Sequence, residues 1–265
     1  MSEILSKYSA FLDFFLDLHQ RYLPLWISTV VITVIMTTIG LFLGAFVHPI
    51  FMLLFTAFPF YFAYAALIKN QDYSRALRLI FLWTFTIAIY GILLTIVFPD
   101  LATKAIFNST AYKEGMFTWV ETGIGAEGNP AQFIPIHATH FTIFLITCLI
   151  SMSMIGIIFG AYLMNYMDYY VGMLFLNVAE PSATSYLTIA VFGWQIWAIC
   201  RVVGFLFVGT AAAIPLTTFL FKQPLPKDVI KKYFLIGIAF VIIDIILKAS
   251  LAPIYQQILN AVIFG

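Results

Sequence analysis

Charged residues are scarce in this chain. Only 9% of its 265 residues are Asp, Glu, Lys or Arg, whereas a soluble domain carries about 25%. Hydrophobic residues make up 63%, and the mean hydropathy is +1.01. So few charges cannot cover a water-soluble protein of this size, and a net charge of +1 provides no cationic surface for a nucleic acid. The composition therefore predicts a chain that lies mostly within a lipid bilayer and has no nucleic-acid partner.

Motifs for covalent catalysis, redox chemistry and structural zinc are also missing. The two cysteines, Cys148 and Cys200, lie in apolar runs without a second cysteine nearby, so neither a disulfide framework nor a zinc site is indicated. No nucleophile elbow, phosphate-binding loop or HExxH motif occurs. The sequence therefore contains no motif that predicts an enzyme, and it leaves the cofactor unknown.

Long apolar segments dominate what is present. A membrane-spanning helix needs about 20 predominantly apolar residues. The sequence predicts an all-α, polytopic membrane helix bundle, a single domain over 23–265 with six or seven transmembrane helices. One segment, 186–221, is too long for one crossing, so we expect a hairpin of two short helices, bent near Gly204 and Gly209. The predicted spans are 24–47, 50–69, 79–98, 139–165, 186–221 and 229–252.

Residues 1–22 have the pattern of an amphipathic helix rather than of a membrane span. Apolar residues recur three to four positions apart, and charged residues take the opposite face. Such a helix either lies in the membrane interface or packs on the cytoplasmic side of the protein itself, and the sequence leaves both alternatives open. The apolar positions are Ile4, Leu5, Tyr8, Phe11, Leu12, Phe15 and Leu16.

Basic residues are unevenly distributed among the connections between spans. Nine of the thirteen Lys and Arg residues lie before the first span, between the second and third, or before the last. The long connection 99–138 contains only Lys104 and Lys113. Because cytoplasmic loops carry the excess of Lys and Arg, we expect a cytoplasmic N-terminus, an external 99–138 loop and an external C-terminus in a plasma (inner) membrane.

Three ionisable residues inside predicted spans are candidates for function: Arg201, Asp244 and Lys248. Ionisable groups within a membrane are costly and mark functional sites by default. Asp244 and Lys248 are four residues apart and share a helix face, so they are able to pair, and Arg201 joins them if the last two spans pack together. This intramembrane ionic cluster is either a coupling-ion or proton site, or a structural ion pair whose basic ends extend to the outer interface.

A second group of candidates lies at the end of the external loop. His137 and His140 are three residues apart, so two imidazoles share one helix face, and Glu121 and Glu127 precede them. Imidazole and carboxylate are ligands of transition metals, so these four residues form a candidate metal site, or the two imidazoles a haem contact. The alternative is that both histidines form hydrogen bonds at the membrane interface.

The 99–138 loop has no obvious regular structure, but it contains aromatic residues that a disordered segment avoids. A loop of this length is usually either functional or disordered. We therefore expect it to fold as a cap over the helix ends. Trp119 is expected either to be buried under this cap or to dock on a partner. Trp119 and Glu121 are the candidate contacts to that partner, which is either another membrane protein or a second copy of the chain.

Several small-residue motifs occur from about residue 137 onward. They are Gly156-x-x-x-Gly160, Asn165, Gly172, Val208-Gly209-Thr210-Ala211 and Lys248-Ala249-Ser250-Leu251-Ala252-Pro253. With these motifs, the C-terminal half resembles the stage II sporulation protein M family of membrane proteins, and the predicted orientation agrees with that family. The chain departs from the family pattern at Lys248, where an acid is usual, and in an extra helix pair at the front.

Other residues are similar to the outer loop of the third subunit of haem-copper oxidases. They are Trp119, Thr122-Gly123-Ile124, Asn129-Pro130, Pro135 and Thr139. The length of the chain and a seven-helix topology also agree with that subunit. Both resemblances imply a non-catalytic membrane subunit that holds partners.

Three hypotheses for function follow. The leading one is a non-catalytic integral membrane subunit or scaffold of a larger membrane complex. The first alternative is a small-solute or ion transporter that uses Arg201, Asp244 and Lys248. The second is a metal- or haem-binding membrane protein or respiratory accessory subunit that uses His137 and His140. The identity of a substrate or partner does not follow from the sequence.

Overall fold

The computed structural model describes residues 2–21 and 23–265, and every regular element in these residues is a helix. Helices satisfy their backbone groups internally, as a lipid environment requires. The predicted all-α helix bundle is confirmed. The helices are α1 (Ser2–Arg21), α2 (Leu25–Phe46), α3 (Ile50–Lys69), α4 (Tyr73–Val97), α5 (Pro99–Ala105), α6 (Ser109–Thr122), α7 (Pro130–Ile150), α8 (Met154–Leu176), α9 (Ala183–Phe192), α10 (Ile196–Leu220) and α11 (Lys227–Ile263), with a 3-10 turn at Ala126–Gly128.

Six helical segments of the described chain are long and apolar enough to cross a membrane: α2, α3, α4, α7, the α9–α10 segment and α11. In α7 and α11, only 22% and 17% of the most apolar window is buried inside the protein, so lipid covers much of the rest. α8 packs mainly on α4 and α3, in the interior of the bundle. The chain is therefore a multi-pass integral membrane protein.

α1 packs on α3 and does not lie apart from the bundle. Leu12 is 1% exposed, and Lys69 Nζ at the end of α3 lies 2.6 Å from the Asp13 carboxylate. Phe14 stays exposed on the opposite face. These contacts are those expected of a helix packed on the protein itself, and a position in the membrane interface stays a prediction. The predicted end residues, 1 and 22, lie outside the described residues.

The connection between α4 and α7 is mostly helical, which corrects the prediction of a 99–138 loop without regular structure. α5 and α6 occupy its first part, and α7 already begins at Pro130. The Asn129 side chain accepts a hydrogen bond from the Ala131 amide at 3.0 Å, and proline at the first helical position needs no partner for an N–H. Gly123 ends α6 with a φ of 72°, a left-handed conformation that glycine adopts without steric cost.

The predicted span 139–165 is divided between two helices. Met152 and Ser153, between α7 and α8, have φ values of 49° and 69°, and this left-handed pair turns the chain out of the helix. The Ser153 hydroxyl donates a hydrogen bond to the Gly209 carbonyl of α10 at 2.8 Å. The sequence Ser-Met-Ser carries no proline or glycine, so the break left no strong signal for prediction.

The segment 186–221 is not the predicted hairpin. α9 and α10 follow one another in the same direction along α11, which runs antiparallel to both, and the chain breaks only at 193–195. The contacts in chain order are Ala179 with Val262, Phe192 with Tyr255, and Arg201 with Asp244. Later residues of the α9–α10 segment therefore contact earlier residues of α11 throughout. In a hairpin, the second helix would contact α11 in the opposite order.

Different contacts hold the two ends of the bundle. At one end, the basic side, the α3–α4 and α10–α11 connections meet, since Gln223 Nε2 donates to the Lys69 carbonyl at 2.7 Å. At the other end, the cap side, α6 lies against the last turns of α11, where Gln256 Nε2 donates to the Val120 carbonyl at 2.7 Å. The connections predicted to be cytoplasmic and external thus lie at opposite ends.

Candidate functional site

A buried ion pair joins α10 and α11. Arg201 Nε and Nη2 donate to the two carboxylate oxygens of Asp244 at 2.9 and 3.0 Å. The helices approach closely because Gly204 faces the Gly237 backbone, where a Cβ at position 204 would lie 2.9 Å from the carbonyl oxygen. α10 is a continuous helix through Gly204 and Gly209, so the chain does not turn back at these glycines as a hairpin would require. A two-pronged pair of this kind fixes both side chains.

Lys248 does not pair with Asp244, which corrects the expectation from their spacing. Its ammonium lies 2.6 Å from the Glu127 carboxylate, in the short 3-10 turn that precedes α7. It also lies 4.7 Å from the centre of the Phe133 ring, a distance suited to a cation–π contact. The Lys248 side chain is 0% exposed and that of Glu127 24%. The pair therefore ties the middle of α11 to the cap side.

His137 lies between the two pairs. Its Nε2 is 3.3 Å from Lys248 Nζ, and since an ammonium has only donors, this nitrogen accepts and the ring proton belongs on Nδ1. Nδ1 is 3.4 Å from Asp244 Oδ2 but has no aligned hydrogen bond. The five side chains form what we call the ionic network: Glu127, His137, Arg201, Asp244 and Lys248. With a neutral imidazole its formal charges sum to zero, which limits the cost of burying it.

The four predicted metal ligands do not form one cluster. Among the described residues, no group of three or more His, Cys, Asp and Glu side chains is placed to hold a metal ion. Glu121 is exposed on α6. His140 packs its ring 6.0 Å from that of Phe159, whereas His137 and Glu127 belong to the ionic network. Two of the four predicted metal ligands therefore contact the predicted ionic cluster instead.

A cavity of about 790 Å³ lies on the cap side, beside α6, α7 and α8. Small-ligand sites typically have volumes of about 300–1,000 Å³. Its rim includes the exposed Ile124, and Glu127, His137 and Arg201 form part of its wall. The other polar lining residues are Asn108, Tyr112, Thr118, His140, Tyr162 and Tyr166. The ionic network is therefore reached from the cap side.

A second, smaller cavity of about 90 Å³ lies deeper in the bundle. Tyr112, His140, Tyr166 and Arg201 line both cavities, so these four side chains mark the place where the two adjoin. The remaining wall is mostly apolar, with Phe205 of α10 among its residues. Burial raises the pKa of the Tyr112 phenol well above its ordinary value. Tyr112 therefore contributes a neutral hydroxyl group to the walls of both cavities. The cavity on the cap side, with its polar lining, thus adjoins an inner cavity with mostly apolar walls.

Trp119 is buried within the chain, as one of its two predicted alternatives had it, and this corrects its assignment as a contact to a partner. Its side chain is 1% exposed and belongs to an apolar cluster with Tyr255 and Leu259 of α11. It therefore anchors α6 to the chain's own last helix. Glu121, two residues later, is exposed, and its contact to a partner stays a prediction.

Asp168 is the ionisable residue that sequence reasoning missed. It is the one charged residue of α8, it is 1% exposed, and neither of its carboxyl oxygens has a hydrogen-bond partner among the described residues. A signal was available, because a single Asp stands in an otherwise uncharged apolar helix. The predicted span 139–165 ended three residues before it and so placed it in a connection.

Comparison with known proteins adds no further constraint on this site. No protein-family model, curated protein or solved structure matches the chain significantly. The resemblances to the stage II sporulation protein M family and to the third subunit of haem-copper oxidases therefore stay predictions.

Proposed function

We propose that this protein is a small-solute or ion transporter of a plasma (inner) membrane whose cap side faces outward. The observation that carries the proposal is the cavity of about 790 Å³, which leads from the cap side to Arg201 of the ionic network. Ionisable groups are retained inside a membrane where they meet a substrate or an ion. Transporter sites lie near the bilayer midplane, and Arg201 lies at the middle of the apolar α9–α10 segment.

Arg201 supplies the chemistry for recognition. A guanidinium has five N–H donors in a planar fork, and the Asp244 carboxylate takes one from Nε and one from Nη2. The remaining donors are available to a solute with a carboxylate or another acceptor, by charge-assisted hydrogen bonds. An anionic solute would compete with Asp244 for the same cation and so loosen the α10–α11 contact, which couples binding to helix movement.

The competing hypothesis, a non-catalytic subunit or scaffold, depended on the 99–138 connection as a surface for partners. Packing within the chain accounts for the aromatic content of that connection, because Trp119 is buried against α11. The exposed apolar faces of α7 and α11 suit lipid as well as they suit a protein partner. The cavity on the cap side, in contrast, favours solute binding.

Uptake by purified protein in liposomes tests the proposal. Radiolabelled solutes of four classes are applied in turn: monocarboxylates, dicarboxylates, amino acids and alkali cations. We expect uptake of at least one class above that of protein-free liposomes. The double variant Arg201→Gln with Asp244→Asn removes both charges but keeps polar side chains of similar size, and it should fold and lose this uptake.

Glu121→Gln is the matched control, because Glu121 is exposed on α6 and does not line the cavity. Its uptake should equal that of the wild type. If wild-type protein transports no member of the panel, and a pull-down in mild detergent recovers a second chain in constant proportion, the subunit hypothesis replaces the transporter.

A further inference from the structure

We propose that Asp168 is a proton-binding site at the crossing of α4 and α8, where it holds its proton as a neutral carboxylic acid. Asp168 lines neither of the two cavities that reach Arg201. It is therefore a site separate from the ionic network.

Two glycines bring α4 and α8 together around this carboxyl. A Cβ added to Gly91 of α4 would lie 2.7 Å from Asp168 Oδ2. One helical turn further along, a Cβ added to Gly172 of α8 would lie 2.6 Å from the Thr95 Cβ. The carboxyl is thus packed directly on the backbone of α4, and this packing accounts for its exposed fraction of only 1%.

No partner compensates a negative charge on Asp168 within the described residues. Neither oxygen accepts a hydrogen bond, and Asp168 takes part in none of the ion pairs. The hydroxyl of Tyr73 has no partner, but Tyr73 is the first residue of α4, 18 residues before Gly91. The other titratable groups of the neighbouring helices are engaged elsewhere or at least partly exposed. They are Tyr61 with Tyr8, Tyr64 with Thr210, Lys69 with Asp13, Tyr90 with Thr38, Tyr112 with Met167, Lys113 over the Phe117 ring, His137 with Lys248, His140 on the cavity wall, Cys148 against Gly156, the partly exposed Arg75, and the exposed Arg78, Asp100, Lys104, Glu114, Glu121 and Tyr186.

A proton is the ligand that fits this environment. An isolated ionised carboxylate in an apolar interior is far more costly than a neutral polar group, and such a group takes up a proton instead. A metal cation would require several oxygen ligands, and no cluster of metal-binding side chains occurs in the described part of the chain. Asp244 differs from Asp168 in this respect. It is equally buried, but Arg201 compensates its negative charge with two hydrogen bonds.

Labelling with dicyclohexylcarbodiimide tests the protonation state without any transport assay. This apolar reagent adds to a protonated carboxyl group, takes up its proton and rearranges to a stable N-acylurea that contains the whole reagent. In purified wild-type protein at neutral pH, we expect the adduct on the peptide with Asp168 and none on the peptide with Asp244. The extent of labelling should be the same in choline chloride and in NaCl. Protection by Na⁺ would reveal a sodium site and overturn the proposal.

An infrared spectrum covers the case in which the reagent cannot reach the α4–α8 crossing. The difference between wild type and Asp168→Asn should contain the C=O stretch of a protonated carboxyl at neutral pH. Its absence overturns the proposal whatever the labelling result. Asparagine has the shape of the neutral acid, so this variant should keep the thermal stability of the wild type. A loss of stability as large as that of Asp244→Asn would instead indicate an ionised, structural carboxylate.

Absence of all transport by the wild type would overturn the proposed function alone, because labelling and infrared spectra decide independently whether Asp168 holds a proton.

Discussion

Asp244 and Lys248 show why the spacing of two charges along a helix does not identify their partners. Side chains four residues apart share a face and are able to pair, yet each of these is paired across to another element. Arg201 offers Asp244 two donors in a plane, and the Glu127 carboxylate lies 2.6 Å from the Lys248 ammonium. The geometry of the contact between elements, and not the spacing along one helix, therefore determines which charges pair.

A double-mutant cycle checks this assignment. We expect Asp244→Ala or Arg201→Ala alone to lower the free energy of unfolding by about 3–5 kcal/mol, because each leaves a buried charge without its partner. The double variant should cost much less than the sum of the two. Thermal unfolding in detergent measures the stability of the wild type, the two single variants and the double variant. The cycle of Asp244 with Lys248 serves as the comparison, and a coupling there as strong as with Arg201 would contradict the assignment.

Among the elements, α6 illustrates how a connection becomes part of the core. Its buried face, with Met116, Trp119 and Val120, packs on α11 and α8. Side-chain amides of α11 then bind its last carbonyl groups: Gln256 and Asn260 both donate to the Val120 oxygen. These bonds satisfy carbonyl groups that a helix end leaves without intrahelical partners. The cap is therefore a docked helix and not a mobile loop.

Trp119→Ala should consequently destabilise the protein itself and not merely a complex. Replacing a buried tryptophan by alanine typically costs about 3–5 kcal/mol, and the free energy of unfolding in detergent should fall by that order. Glu121→Ala is the control on the same helix, and because its side chain is exposed the change should stay within about 0.5 kcal/mol. Wild-type stability in Trp119→Ala, together with loss of a co-purifying chain, would restore Trp119 as a partner contact.

For the whole molecule, the basic side and the cap side define a single axis. The α3–α4 and α10–α11 connections, which carry most of the basic residues near the spans, meet at one end through Gln223 and Lys69. The cap of α5 and α6 covers the other end. The rule that cytoplasmic loops are rich in Lys and Arg then predicts that the cavity opens to the outside.

Cysteine labelling of intact cells tests this orientation. Thr110 on α6 and Ser74 on α4 are both exposed, whereas the neighbouring Ser109 is buried and a poor position for a reporter. In a Cys200→Ser background, which removes the partly exposed native thiol, Thr110→Cys should react with an impermeant maleimide. Ser74→Cys should react only after the cells are permeabilised. The reverse pattern would place the cavity on the cytoplasmic side.

The amino-acid sequence by itself determined the environment, the helical class and most of the long helices of this protein. These properties follow from local causes, since about 20 consecutive apolar residues are enough for a span and backbone hydrogen bonds close within four residues. Local signals also located Arg201, Asp244 and Lys248 as costly residues. They failed at Met152 and Ser153, where the chain breaks without proline or glycine.

Only the tertiary structure decided what each charge contacts. The pairing of Arg201 with Asp244 depends on the close approach of Gly204 and Gly237, residues on two helices whose meeting no local pattern specifies. The cavity exists because α6, α7 and α8 leave space between them, and the isolation of Asp168 exists because α4 packs over it. Contacts between distant segments depend on which faces meet when the helices pack, so they become visible only once the whole bundle is assembled.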